Sequence, residues 1–108
     1  MRVRNMTSPK GNKIVNQFIV EGVTIELPND SYTGEIFQSY GSVIMFKAVQ
    51  SGNSGSIPTK IFLDKDDWDY SNTAGKYRNL YLGESKYETE KKIKSGKYTL
   101  VDLNPPLY

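Results

Sequence analysis

The period of the apolar residues changes from strand-like to helical near Asp64 of this 108-residue chain, and that change limits its folds more than any other feature. Before it, apolar and β-branched residues crowd short runs bounded by turn residues, as in strands. Ile14, Val15, Phe18, Ile19 and Val20 form one run, and Val23, Ile25 and Leu27 another. Glu21-Gly22 between them predicts a tight hairpin turn, and Pro28-Asn29-Asp30-Ser31 is a turn cluster. Residues 35–40 and 42–49 predict two further strands around Gly41. In the second of these, alternation puts Ile44, Phe46 and Ala48 on one face and Val43, Met45 and Lys47 on the other. Ser51 to Ser56 (SGNSGS) predicts a flexible loop closed by Pro58, with a short strand over 60–63.

After Asp64 the spacing is helical. Tyr77, Leu80 and Tyr81 fall at i, i+3 and i+4, with Ser71 or Thr73 as N-cap and Gly83 as stop, although Gly75 weakens the segment by about 1 kcal/mol relative to alanine. Ser85 and Glu88 have the spacing of a capping box for a second helix. Thr89 and Ile93 share one face of that helix, Lys91, Lys92 and Lys94 suit its C-terminal dipole, and Gly96 stands where a left-handed stop belongs. Residues 98–103 (YTLVDL) predict a returning strand, ended by Asn104-Pro105-Pro106. The expected fold is α+β: an antiparallel sheet of four to six strands, one or two short helices in the C-terminal half, and a returning C-terminal strand. Residues 1–12 lack apolar periodicity and are expected to be a flexible basic arm, with 13–108 as a single α+β domain.

A hydrophobic content of 37% with 12% aromatics allows such a domain a core without covalent staples, and none is available, because the chain has no cysteine. Histidine is absent as well. Thiolate or imidazole zinc sites, a cysteine nucleophile and an imidazole base are therefore excluded. No apolar run approaches the roughly 18 residues of a membrane span, and no signal-peptide h-region follows the N-terminal basic residues.

Carboxylate chemistry is weakly indicated. The acidic run DKDDWD over 64–69 fails the ligand spacing of a calcium loop from either Asp64 or Asp67. Its expected role is a polar strand-to-helix loop in which aspartates cap the following turn, with Trp68 as an anchor. Glu84 and Lys86 have the E-x-K spacing of some metal-dependent nucleases, but Glu84 precedes a helix rather than lying on a strand. SGNSGSIPTK does not place Lys60 as a phosphate loop would. No cofactor and no metal are expected.

Charge is segregated. Residues 1–13 carry Arg2, Arg4, Lys10 and Lys13 and no acid, residues 64–69 sum to −3, and residues 76–97 sum to +4, within a net charge of +2. Separated blocks of this kind steer charged partners. Cations also stand beside rings at Lys76-Tyr77-Arg78, Lys86-Tyr87 and Lys97-Tyr98, a pattern shared by nucleic-acid and protein interfaces. The expected partner-binding residues are Lys76, Arg78, Tyr81, Lys86, Lys91, Lys92 and Lys94, with the acids of 64–69 as an opposing face.

Several segments together carry a resemblance: NQFI (16–19), FQSY (37–40), WDYS (68–71), GKYRN (75–79), LGE (82–84), KKIKSGKY (91–98) and DLN (102–104). In these, over roughly residues 12–104, the chain resembles a group of small uncharacterised proteins of tailed bacteriophages and related mobile elements. Residues 23–33 and 51–57 stand out as loop expansions relative to that group. The resemblance implies expression in the host bacterial cytoplasm during infection and transfers no catalytic residue. The expected function is a non-enzymatic inhibitor or modulator of host machinery, foremost a nucleic-acid-targeting defence system in the manner of an anti-CRISPR. Its partner would be a host protein or protein–nucleic-acid complex, with no membrane involved. A DNA- or RNA-binding accessory factor of phage replication or transcription is the alternative. A metal-dependent nuclease using 64–69 with Glu84, or a sponge for a small nucleotide closed by 51–57, follows behind.

Overall fold

Five antiparallel strands run in chain order across one sheet, and two helices then carry the chain to a sixth strand. The structure is a computed structural model describing residues 2–104. The strands are β1 (Arg2–Thr7), β2 (Lys13–Leu27), β3 (Asp30–Ser39), β4 (Ser42–Ser51) and β5 (Gly55–Asp64). The helices α1 (Asn72–Leu82) and α2 (Lys86–Lys94) lead to β6 (Tyr98–Val101). Spatial order is β1-β2-β3-β4-β5-β6, with only the β5–β6 pair parallel. This is the α+β fold expected, with six strands and both helices in the C-terminal half. The Pro105-Pro106 terminator lies outside the described residues.

Four details correct the sequence reading. Residues 2–7 are not an arm: β1 pairs with β2 from Arg2↔Glu21 to Asn5↔Phe18. Its pairing is supplied by β2, the strand that follows it, and only Met6 of its side chains enters the core, so no apolar period marked it. Glu21-Gly22 is not a hairpin turn either. β2 continues through it, and Gly22, at φ 72°, is a bulge where the register slips between Glu21 and Val23. Consequently 23–33 is strand and hairpin rather than an expanded loop, turning at Pro28-Asn29 between Leu27 and Asp30. Finally, Ile44 packs with Met45, not with Phe46 and Ala48, because β4 bulges where Phe37 pairs with Met45 but Gln38 pairs with Val43.

The helices cover one face of the sheet, burying Ile19, Phe37, Ile44, Met45 and Leu63 with Met6 and Ala74. The other face holds Phe46, Ala48 and Phe62. Slips at Glu21/Val23, Thr33/Gly34 and Ala48/Gln50 cross adjacent strands, and bulges in register increase twist and bend a sheet. Val23, Ile25, Leu27 and Tyr32 thereby pack on this second core, where the Tyr32 and Phe62 ring centroids are 5.1 Å apart. Gly34 lies at the bend. A Cβ there would be 1.9 Å from the Lys47 carbonyl oxygen, so only glycine permits this approach of β3 to β4.

Local signals place the helix ends. The Ser71 side chain accepts from Ala74 N, and Gly83 closes α1 at φ 69°. Ser85 and Glu88 form the full capping box of α2, whose C-cap is Ser95. Burying Thr89 and packing Ile93 on the main core, α2 uses the face its spacing predicts. α1 does not. Ala74, Gly75 and Arg78 are its buried residues, with Tyr77, Tyr81 and Leu82 partly covered, and Leu80 is turned outward.

Candidate binding surface

The seven cationic and aromatic residues singled out in the sequence do not form one surface. Arg78 is fully buried and is corrected from partner contact to structural hub. Its Nη1 donates to the Trp68 carbonyl at 2.7 Å and to Asp69 Oδ1 at 2.9 Å, and Nη2 donates to Asn79 Oδ1 at 2.9 Å. The guanidinium lies over the Trp68 ring, 5.0 Å from its centroid. Gly75, one turn earlier on the helix, borders this fork: a Cβ there would be tight against Asp69 Oδ1, at 3.3 Å, and in ordinary contact with both Nη atoms, at 3.7 Å. Trp68 packs against the main core, as its anchor role requires.

Tyr81 is half-buried. Its ring lies near-parallel to Phe37, with centroids 6.0 Å apart, and its hydroxyl donates to Glu35. Burial and the Glu35 carboxylate push the phenol far above its ordinary range. Lys86 and Lys92 are tied to acids. Lys86 Nζ lies 2.7 Å from Asp69 Oδ2, and Lys92 Nζ lies 2.6 Å from Glu84 Oε1. Burial opposes the Asp69 charge, but Lys86 and Arg78 outweigh it and hold the carboxyl below its usual pKa. The same balance holds at Glu84, where donation from Lys92, Thr89 Oγ1 (2.6 Å) and Tyr98 Oη (2.9 Å) overcomes desolvation. Asp69, expected on a face opposing the cations, is thus paired with Arg78 and Lys86, and Glu84 with Lys92.

Asp64 is equally occupied. Its Oδ2 accepts from the backbone N–H of Asp66 (3.1 Å) and Asp67 (2.7 Å), and its Oδ1 from that of Leu103 (2.7 Å). Burial works against this charge, and the backbone donors nonetheless keep its pKa low. The expected capping role of the acidic loop is therefore visible, and the carboxylate also ties the chain after β6 to the end of β5. Among the described residues no group of three or more aspartates, glutamates, histidines or cysteines converges as metal ligands would. The nuclease arrangement of 64–69 with Glu84 is thus not assembled: Asp64, Asp69 and Glu84 face separate partners. Nor is any helix among the described residues long and apolar enough to cross a membrane.

What remains accessible is narrower. Lys76, Lys91 and Lys94 are exposed, as is Lys97, which the sequence reading left out of the site, and none of the four forms an ion pair among the described residues. Lys91, Lys92 and Lys97 line an open cavity of about 340 Å³ with Ser95 and Glu88. Tyr87, 70% exposed, stands beside it, with Lys91 Nζ 5.3 Å from the ring centroid. Lys76 and Lys86 flank a second open cleft of about 400 Å³ at the start of α1, beside Asp69. The sequence also gave no sign of the buried pair Gln17 and Ser39, which lie opposite each other on β2 and β3. Their side-chain polar atoms have no hydrogen-bond partner among the described residues, and they are closed to solvent.

No protein-family model, curated protein or solved structure matches the chain.

Proposed function

We propose that this protein is a small non-catalytic binding protein that acts by occupying an acidic surface of its partner with the C-terminal half of α2 and the turn into β6. The observation that carries this reading is the row of exposed cations Lys91, Lys94 and Lys97 beside exposed Tyr87, in a layer where Arg78, Lys86 and Lys92 are matched to acids. Tyrosine and cations next to a shallow cavity are common anchors of protein interfaces. The resemblance of residues 12–104 to small proteins of tailed phages supports the biological setting. There, such a protein serves as an inhibitor of a host nucleic-acid-targeting defence complex, in the host cytoplasm.

A second reading has its own observation. Tyr87 is exposed with Lys91 against its ring, and an open ring flanked by lysine also suits stacking on an unpaired base. One experiment separates the two: affinity capture from host lysate with the tagged protein, with and without nuclease, read by mass spectrometry. A discrete host protein that survives nuclease treatment and is lost with Lys91→Glu/Lys94→Glu is the expected result. Recovery of nuclease-sensitive material alone, with affinity falling steeply as salt rises, would replace it with direct nucleic-acid binding. Capture unaffected by the charge reversal would overturn the surface assigned here.

A further inference from the structure

The edge of the sheet at β1 has a separate character, independent of the α2 lysines. β1 is the terminal strand of the sheet, and no strand lies beyond it among the described residues. Alternate backbone N–H and C=O groups of an edge strand point outward, ready for another strand. Natural edges of this kind are blunted or covered, and this one is blunted little. Arg2 and Arg4 are drawn back onto the neighbouring strand, their Nε atoms 2.9 and 3.2 Å from Glu21 carboxylate oxygens. Val3 between them is left 61% exposed.

α1 adds an apolar shelf beside this edge. Leu80, turned out of the core and 40% exposed, stands between two adjoining cavities of about 250 and 470 Å³ that share Ser8, Pro9 and Leu80. The first reaches Arg4 and Met6 of β1, and the second reaches Ile14 and Tyr77. No carboxylate lines either cavity. The cations at this end of the molecule, Arg2, Arg4, Lys10 and Lys13, occur within 2–13 without any acid in that stretch. A second copy pairing through its own β1 would bring Arg2 and Arg4, which share the one Glu21 carboxylate, beside their equivalents, and like charges opposite one another oppose strand pairing. An acidic strand meets no such penalty.

We propose that the outer edge of β1 and the Leu80 shelf receive an extended segment of a partner protein with alternating apolar and acidic side chains, which joins the sheet as a seventh strand. Its backbone completes the unpaired row of β1, its apolar side chains lie on the Leu80 shelf, and its acids meet the cations of 2–13.

The test selects twelve-residue peptides from a random displayed library on the intact protein and measures the synthesised winners by fluorescence polarisation. Winners with alternating apolar and acidic residues are expected. Their affinity should fall tenfold or more with Leu80→Asp and stay within twofold with Lys91→Glu/Lys94→Glu, so this surface and the lysine face of α2 fail separately. Leu80→Ala, with a smaller loss, serves if the aspartate lowers thermal stability. N-methylation of one alternate set of peptide amides should abolish binding and methylation of the other set should not, a pattern that side-chain docking alone does not produce. Four results would overturn the proposal: no winners, basic or unpatterned winners, binding indifferent to Leu80→Asp or to both methylation sets, or sedimentation showing a β1-mediated dimer.

Discussion

Replacing Arg78 by methionine tests whether the helical layer is organised by a buried charge. The substitution keeps an unbranched side chain over Trp68 but removes three donated hydrogen bonds, to the Trp68 carbonyl, Asp69 and Asn79. Losing one partner of a buried ion pair costs about 3–5 kcal/mol. Here the low end applies, because the Asp69 side chain is 26% exposed and keeps Lys86 at 2.7 Å. The expected cost is therefore about 3 kcal/mol, which at roughly 5 °C per kcal/mol for a domain of this size lowers Tm by about 15 °C. Urea unfolding followed by fluorescence is well placed to measure it, since Trp68 is the only tryptophan and lies under the guanidinium. Arg78→Lys keeps the charge but cannot span three acceptors in the geometry of the fork, so it should fall between methionine and the parent. A cycle with Asp69→Asn should return a coupling of about 1 kcal/mol or more. If Arg78→Met unfolds within 1 kcal/mol of the parent, or the cycle shows no coupling, the hub described here does not hold the layer together.

Acid should unfold the protein along a limb set by Asp64, Asp69 and Glu84, whose folded pKa values lie below their ordinary values of 3.8, 3.8 and 4.5. A depressed carboxylate binds fewer protons folded than unfolded, so its contribution is complete above about pH 4.5 and disappears as pH falls through the folded values. Tm measured from pH 6 to 2 should show this slope, and Asp64→Asn should flatten it; an unchanged slope would count against the backbone cradle around Asp64. Gly34→Ala should cost about 3 kcal/mol or prevent folding, while Gly41→Ala, with nothing within 4 Å of the added carbon, should stay within about 0.5 kcal/mol, and equal stabilities in denaturant would refute the close approach of β3 to β4. Ser85→Ala should lower stability by about 1 kcal/mol through loss of the capping box, and a change under 0.3 kcal/mol in the same assay would argue against it.

The parts of this fold written into short stretches of chain could be read from the sequence, and the parts written across it could not. Ser71, Gly83, Ser85 and Glu88 act on backbone groups within four residues of themselves, so residue type and spacing were enough to place both helices. Turn residues at 28–29 and 40–41 likewise separate strands where they fall in the sequence, whereas the loop expected over 51–56 shrinks to 52–54, because β4 runs to Ser51 and β5 begins at Gly55. Gly22 shows the limit. A glycine between two β-rich runs serves a hairpin or a bulge equally well, and what decided between them is that residues 23–27 continue pairing with 30–34 of β3. β1 was hidden because only Met6 of its side chains is buried, and the parallel setting of β6 depends on a distant partner, β5.

The site was legible in composition but not in allocation. Asp69 lies nine residues from Arg78, and Glu84 eight from Lys92, separations that bring no two residues together within a single helix; the loop before α1 and the turn before α2 make these pairs. The available signal was Ala74-Gly75 one turn ahead of Arg78, two small residues on the face where something large must pass. Pairing also relocates the charge of the basic block. Once Arg78, Lys86 and Lys92 are assigned to acids, the cations of 76–97 without an ion pair among the described residues are Lys76, Lys91, Lys94 and Lys97, and three of these lie within seven residues. A field spread over 22 residues of sequence thus narrows to the last turns of α2 and the entry to β6. Exposed cations lose strength with salt, whereas the internal pairs are screened much less. Moderate salt should therefore weaken partner binding at this surface before it weakens the fold.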